Sequence, residues 1–165
     1  YRGGLLLGTV STRRGFPGRL FLRHTCILVS KVRSLRDFQG VSAFESDVGY
    51  ARAVRVGPHV WVAGTTGAGP AGDIAAQARD ALRRIEIALQ QAGAALADVV
   101  RTRIYVTDIS RWREVGAVHA EVFGAIRPAA TMVEVAALIA PELLVEIEAD
   151  AYVATGGKPP SGPGR

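Results

Sequence analysis

The sequence predicts an α+β domain of order ββαβαββ, with a mixed sheet that carries two helices on one face. Three observations predict it. Two alternating segments joined by a Gly-Pro turn open the domain, and two stretches of 3.6-residue apolar period follow with an alternating segment between them. The chain then closes on two strands, the last of which has one purely apolar face. Setting both helices on one sheet face is the economical way to bury both apolar stripes.

Residues Arg52–Val56 alternate, Gly57-Pro58 makes the turn, and His59–Ala63 alternate again, which reads as a hairpin. Asp73 can cap a helix whose stripe is Ile74, Ala78, Ala81, Leu82, Ile85 and Leu89, and Gly93 stops it. Val99–Thr107 follows as a strand, with Val100, Thr102, Ile104 and Val106 on one face and Arg101, Arg103 and Tyr105 on the other. Ser110 or Asp108 can cap a second helix, with Trp112, Val115, Val118 and Val122 inward and Gly124 at its end. Ala130–Val135 and Leu143–Ala154 are the closing strands. In the last, Leu143, Val145, Ile147, Ala149, Ala151 and Val153 form the apolar face against Leu144, Glu146, Glu148, Asp150 and Tyr152.

This pattern leaves the second sheet face without a cover. It is expected to carry Arg101, Arg103, Glu134, Glu146, Glu148 and Asp150 beside Tyr105, Met132 and Tyr152. A solvated face of alternating charge fits that list, and so does a subunit interface.

The net charge of +5 divides unevenly along the 165 residues. Residues 1–40 hold eight bases and one acid, whereas residues 41–154 hold ten arginines against fourteen carboxylates, a net −4. The basic balance belongs to the tails, so bulk charge does not point the domain at nucleic acid. Residues 1–40 lack any sustained period and read as a basic N-terminal extension, either disordered or foreign to the domain, with Val41 as a possible true start. Residues 41–154 are the expected domain, and the Gly/Pro-rich residues 155–165 a disordered tail. No apolar run is long enough to span a bilayer, which takes about 20 residues, and the expected compartment is the cytoplasm.

Several chemistries find little footing. Gly67-Ala-Gly69-Pro-Ala-Gly72 matches the dinucleotide pattern GxGxxG between a strand and a helix, but Pro70 removes a donor where phosphate would need one. The loop reads as a flexible glycine connection, and no cofactor is expected. The three histidines, His24, His59 and His119, have no metal-ligand spacing, and the one cysteine, Cys26, lies outside the domain. His119, beside Val118 on the second helix, reads as a partly buried, hydrogen-bonded residue. The carboxylate ladder Glu146, Glu148, Asp150 remains. Alternate residues on one strand face lie ~7 Å apart, so the like charges raise at least one pKa unless Arg101 and Arg103 intervene. Cross-strand ion pairs are one reading, and Glu146 as a general base or water-holder is the other.

Certain segments are recognisable. Tyr50-Ala-Arg-Ala-Val and Val60-Trp-Val-Ala-Gly64-Thr65-Thr resemble the opening hairpin of the Rid (reactive intermediate deaminase, YjgF-type) family. Ala76–Leu82, Ala92–Val100, Tyr105-Val-Thr-Asp108, Arg127-Pro-Ala-Ala-Thr-Met-Val-Glu-Val135 and Val145-Glu-Ile-Glu-Ala149 resemble its later signatures, in order and spacing. The resemblance implies a chorismate-mutase-like fold and a homotrimer whose three sheets close a barrel, with small-molecule clefts between subunits. It also implies hydrolysis of enamines and imines to a keto acid and ammonia. The domain's charge and the lack of a spanning run lead us to expect no nucleic-acid or membrane partner. Carried over by position, Tyr50, Gly64 and Thr65 line the cleft and Glu146 orients the attacking water. Gly116, His119, Ala130 and Met132 are the further ligand-lining candidates.

Ala130 is the departure. Where the active branch reads Pro-Ala-Arg, with the arginine clamping the substrate carboxylate, this chain reads Pro128-Ala129-Ala130. A methyl group cannot replace a bidentate guanidinium, and the loss costs an anionic substrate about 2–5 kcal/mol of binding. The chain thus resembles the arginine-lacking branch. Three functions follow as expectations: binding and hydrolysis of a different small metabolite, imine deamination with Arg103 in place of the missing arginine, or ribonuclease and translation-inhibitor activity.

Overall fold

A computed structural model describes residues 36–38 and 44–154. Among the described residues nine α-helices and strands run in order: β1 Arg36–Phe38, α1 Phe44–Val48, β2 Ala53–Val56, β3 His59–Thr66, α2 Ile74–Gln91, β4 Val99–Val106, α3 Trp112–Phe123, β5 Ala129–Glu134 and β6 Val145–Tyr152. The expected ββαβαββ order is present from β2 onward. β1, ahead of Val41, pairs antiparallel with β2, so the sheet takes its first strand from within residues 1–40. The remainder of that segment, Val41 and the tail 155–165 lie outside the described residues.

The six strands lie in the order β1-β2-β3-β6-β4-β5, and only β4 and β5 run parallel. The closing strand β6 is therefore central, between β3 and β4. That position matches its alternation, since Val145, Ile147, Ala149 and Ala151 are all buried. The α2 stripe is buried as expected, Asp73 caps the helix by accepting from the Ala76 N–H at 2.8 Å, and Gly93 follows it with φ +70°. Arg55 closes the other end, its Nη1 donating to the carbonyls of Ala92 and Gly93 at 2.7 and 2.8 Å. Gln77, outside the expected stripe, is buried on α2. Its Nε2 donates to the Glu142 carbonyl and its Oε1 accepts from the Leu144 N–H, tying the approach to β6 onto the helix.

Three expectations are corrected. Val100 is exposed and Val99 buried, because a bulge between Val99 and Arg101 reverses the alternation at the start of β4. Trp112 is exposed. Asp108 caps a 3-10 turn at Ile109–Arg111, so α3 begins at Trp112 itself and its buried residues are Val115, Val118 and Phe123. Met132 and Glu134 do not lie on the open sheet face. In the parallel register Met132 is level with Ile104 and Glu134 with Val106, on the helix side, and Thr131 and Val133 take the outer places beside Arg103 and Tyr105.

The glycine loop is anchored to α2 at its start, where Gly67 is buried, and is exposed from Ala68 to Gly72. A Cβ at Gly67 would stand 1.9 Å from the Gln77 carbonyl oxygen, and the Ala68 N–H donates to the Asp80 carboxylate at 2.8 Å. Its glycines allow the loop to approach the α2 backbone.

Candidate functional site

The site begins with an irregularity in β3. Val62 pairs with Ala149 and Thr65 with Ile147, so two residues of β3, Ala63 and Gly64, stand against one of β6. The bulge keeps Thr65 buried and sets Gly64 against Glu146. A Cβ on residue 64 would lie 1.9 Å from Glu146 Oε1, so the carboxyl occupies the space that only glycine leaves open. Glu146 is half-buried. Desolvation and then the nearby charge of Glu148 push its carboxyl above the ordinary glutamate range, and Arg52 opposes the rise.

Arg52 organises this corner. Its Nη1 donates to the Gly64 carbonyl at 2.9 Å and to Thr65 Oγ1 at 3.0 Å, and its Nη2 donates to Tyr50 Oη at 2.9 Å. Its Nε lies 3.5 Å from the carboxylate of Glu45, which α1 supplies. The guanidinium thus joins Tyr50, Gly64 and Thr65, three of the residues singled out in the sequence. Arg52 itself was missed. The sequence places it two residues after Tyr50 at the start of an alternating segment, and its partners 12 and 13 residues away meet it only through the hairpin and bulge.

A second group gathers near the β5 edge. His119 on α3 reaches the fully buried Thr102 through an Nε2–Oγ1 contact of 3.0 Å, and its ring packs 4.7 Å from that of Phe123. Burial holds the imidazole below its usual pKa. Ala130 is level with Thr102 and Met132 with Ile104, so both share this side of the sheet. At Gly116 a Cβ would make only ordinary contact with the Trp112 ring, at 3.8 Å. Within one chain these residues do not meet the Tyr50–Glu146 corner. β4 separates β5 from β6, and Ala130 and Glu146 lie on opposite sheet faces.

Arg103 belongs to neither group. Its Nη2 donates to Asp150 at 3.0 Å and its Nη1 approaches Glu148 at 3.4 Å, while Tyr105 donates a short hydrogen bond to the other Glu148 oxygen. The Glu148 bond and burial together raise the Tyr105 pKa. On this open face the cross-strand ion pairs expected of Arg103 are present, whereas Arg101 is exposed and makes none among the described residues, and Glu146 stands apart from them.

A family model described as endoribonuclease L-PSP matches residues 40–153. The chain belongs to this family, the YjgF/RutC family. A RutC family protein of Pyrococcus abyssi is 37% identical over 109 residues, covering 62% of this chain and 85% of its own. The crystal structure of Rv2704 from Mycobacterium tuberculosis, described as a member of the YjgF/YER057c/UK114 family, is 76% identical with a TM-score of 0.70. It covers 73% of this chain, and this chain covers all of it (100%). The 3-aminoacrylate deaminase RutC of Acinetobacter baylyi is 39% identical over 82 residues, covering 50% of this chain and 64% of its own.

In this YjgF/RutC chain the corner combines a carboxyl held toward its neutral form, a guanidinium and a phenol. In its ionised form a carboxyl with a raised pKa accepts a proton more readily than an ordinary carboxylate, and fixed donors can hold an oxygen beside it. Two surface hollows, of about 490 and 410 Å³, lie elsewhere, one against α2 and α3 and one against the glycine loop. Among the described residues no group of His, Cys, Asp and Glu is arranged to hold a metal ion, and no helix is long and apolar enough to cross a membrane.

Proposed function

We propose that the protein is a cytoplasmic homotrimer that binds a small metabolite in clefts between subunits, with Glu146 activating water against a C=N bond of that ligand. The single observation that carries this is the half-buried Glu146 carboxyl, raised in pKa and seated over Gly64. The water oxygen adds to the imine carbon while Glu146 takes one water proton and passes it to nitrogen, giving a carbinolamine; Glu146 then moves the remaining hydroxyl proton to the same nitrogen as the C–N bond breaks, releasing ammonia and a carbonyl compound. The name of the RutC relative, a 3-aminoacrylate deaminase, supports an enamine or imine as substrate class. Separation of the Ala130, Met132 and His119 group from Glu146 within one chain supports a cleft completed by a second copy.

The missing arginine at position 130 weakens the hold on a substrate carboxylate and leaves the proposed C=N chemistry of Glu146 in place. Arg103 is a poor replacement, because Asp150 and Glu148 already take its donors. Ribonuclease activity, which the family description names, is disfavoured by charge. Residues 41–154 are net −4, and Arg79, Arg83, Arg84 and Arg111 are each paired with a carboxylate.

The test is ammonia release from a freshly generated small imine, with light scattering on the same sample. We expect three chain masses, release faster than in buffer, and loss of that release in Glu146→Gln without loss of assembly. A monomer, or a wild type no faster than buffer that also binds no small oxo acid, overturns the proposal.

A further inference from the structure

We infer that Arg52 is a positioning residue: held by Glu45 of α1, it fixes the β3 bulge over which the Glu146 carboxyl sits. This rests on the reading of Glu146 as the base. Regular pairing of β2 with β3 ends at Ala53 and Val62, and the bulge follows at once. A bulge leaves backbone groups outside the ladder, and Gly64 has no side chain to restrain it. Arg52 meets all three residues involved. Its backbone carbonyl accepts from the Ala63 N–H at 3.0 Å, and its Nη1 donates to the Gly64 carbonyl and to Thr65 Oγ1. Thr65 Oγ1 in turn donates to the Ala63 carbonyl at 2.7 Å. Gly64 is therefore held at its carbonyl while its Cα faces Glu146 Oε1.

Glu45 holds the guanidinium from its Nε end. The two side chains are 7% and 14% exposed, Glu45 the deeper, and they meet at 3.5 Å. The Glu45 backbone carbonyl accepts from the N–H groups of Gly49 and Tyr50 at 3.0 and 3.2 Å, so one residue anchors both the turn into Tyr50 and the guanidinium. The bond from Nη2 to Tyr50 Oη closes the link. Opposite charges this close leave little net field at the corner, and Arg52 therefore acts on Glu146 mainly through geometry. The other ionisable groups facing Glu146 are Glu148, two residues along β6, and Tyr105, its partner on β4. Its partner on β3, Thr66, carries no charge.

NMR titration of the Glu146 carboxyl in the full chain tests the inference. Arg52→Lys keeps the charge but loses the planar fork that spans Gly64, Thr65 and Tyr50. The bulge should then relax, Glu146 should turn toward solvent, and its carboxyl should titrate lower, nearer the ordinary glutamate range. Glu45→Gln removes the charge that holds Arg52 while keeping the side-chain shape, and should shift Glu146 in the same direction. Where the wild type hydrolyses an imine, kcat in both variants should fall about tenfold or more. KM should change little, because in this role Arg52 does not touch the ligand. A Glu146 titration that is unchanged or higher in folded Arg52→Lys overturns the inference. If that variant does not fold, the same result in Glu45→Gln overturns it. A rise in KM with kcat kept marks Arg52 as a ligand group and also overturns it. A wild type that hydrolyses no imine removes the base reading, and the Glu146 titration still decides the role of Arg52.

Discussion

A methyl group at Gly64 would stand 1.9 Å from Glu146 Oε1, so the glycine and the carboxyl share one space. The atom in the way is the far end of a flexible side chain. Gly64→Ala is therefore expected to fold, with a stability change within about 1 kcal/mol, while Glu146 swings out toward solvent. Its carboxyl should then titrate nearer the ordinary glutamate value, as read by NMR. Gly67→Ala is the contrast. Its Cβ would meet helix backbone, the Gln77 carbonyl at 1.9 Å and the Ala81 nitrogen at 2.7 Å, which cannot rotate away. It should cost about 1–3 kcal/mol or more in denaturant unfolding. Equal losses in the two variants would contradict the geometry.

Glu146 also makes stability depend on pH. Its folded pKa is raised, by burial first, from a usual value of 4.5. The stabilising contribution is then complete below that usual value and is lost as pH rises through the folded one. Glu146→Gln should therefore melt higher than wild type at neutral pH, with the gain disappearing on acidification. A variant that is less stable than wild type at neutral pH would show that the ionised carboxylate is well paired after all.

His119 has the opposite sign. Burial lowers its pKa from a usual 6.5, so its contribution is present above that value and is lost as pH falls through the folded one. His119→Gln can keep a contact to Thr102 but cannot take up the proton. Wild type should lose stability relative to this variant between neutral pH and mild acid. Parallel melting curves for the two proteins across that range would rule the mechanism out.

Arg103 tests the open sheet face. Its pairs with Asp150 and Glu148 are partly exposed in one chain and contribute little there. If copies of the chain cover this face, Arg103→Ala should leave two carboxylates without their partner in the covered interface and shift light scattering toward monomer. Loss of imine hydrolysis with assembly and melting temperature unchanged would instead mark Arg103 as a ligand group.

Much of the fold is legible in the sequence because burial imposes a period. The α2 stripe and the alternation of β6 follow from one-sided packing, and both appear in place. Runs of residues also suffice to mark Tyr50, Gly64 and Glu146 as candidates by resemblance. Tertiary structure alone decided the rest. Bulges add a residue to one strand without any signature of composition, so Val100 turns outward and Gly64 meets Glu146 only once β6 pairs with β3 and β4. The side on which Met132 and Glu134 lie depended on the parallel register of β5, which alternation within that strand cannot specify. Arg52 became a functional candidate for the same reason. A guanidinium acquires a role from the acceptors around it, and the Gly64 carbonyl, Thr65 and Tyr50 surround it only when the hairpin has closed.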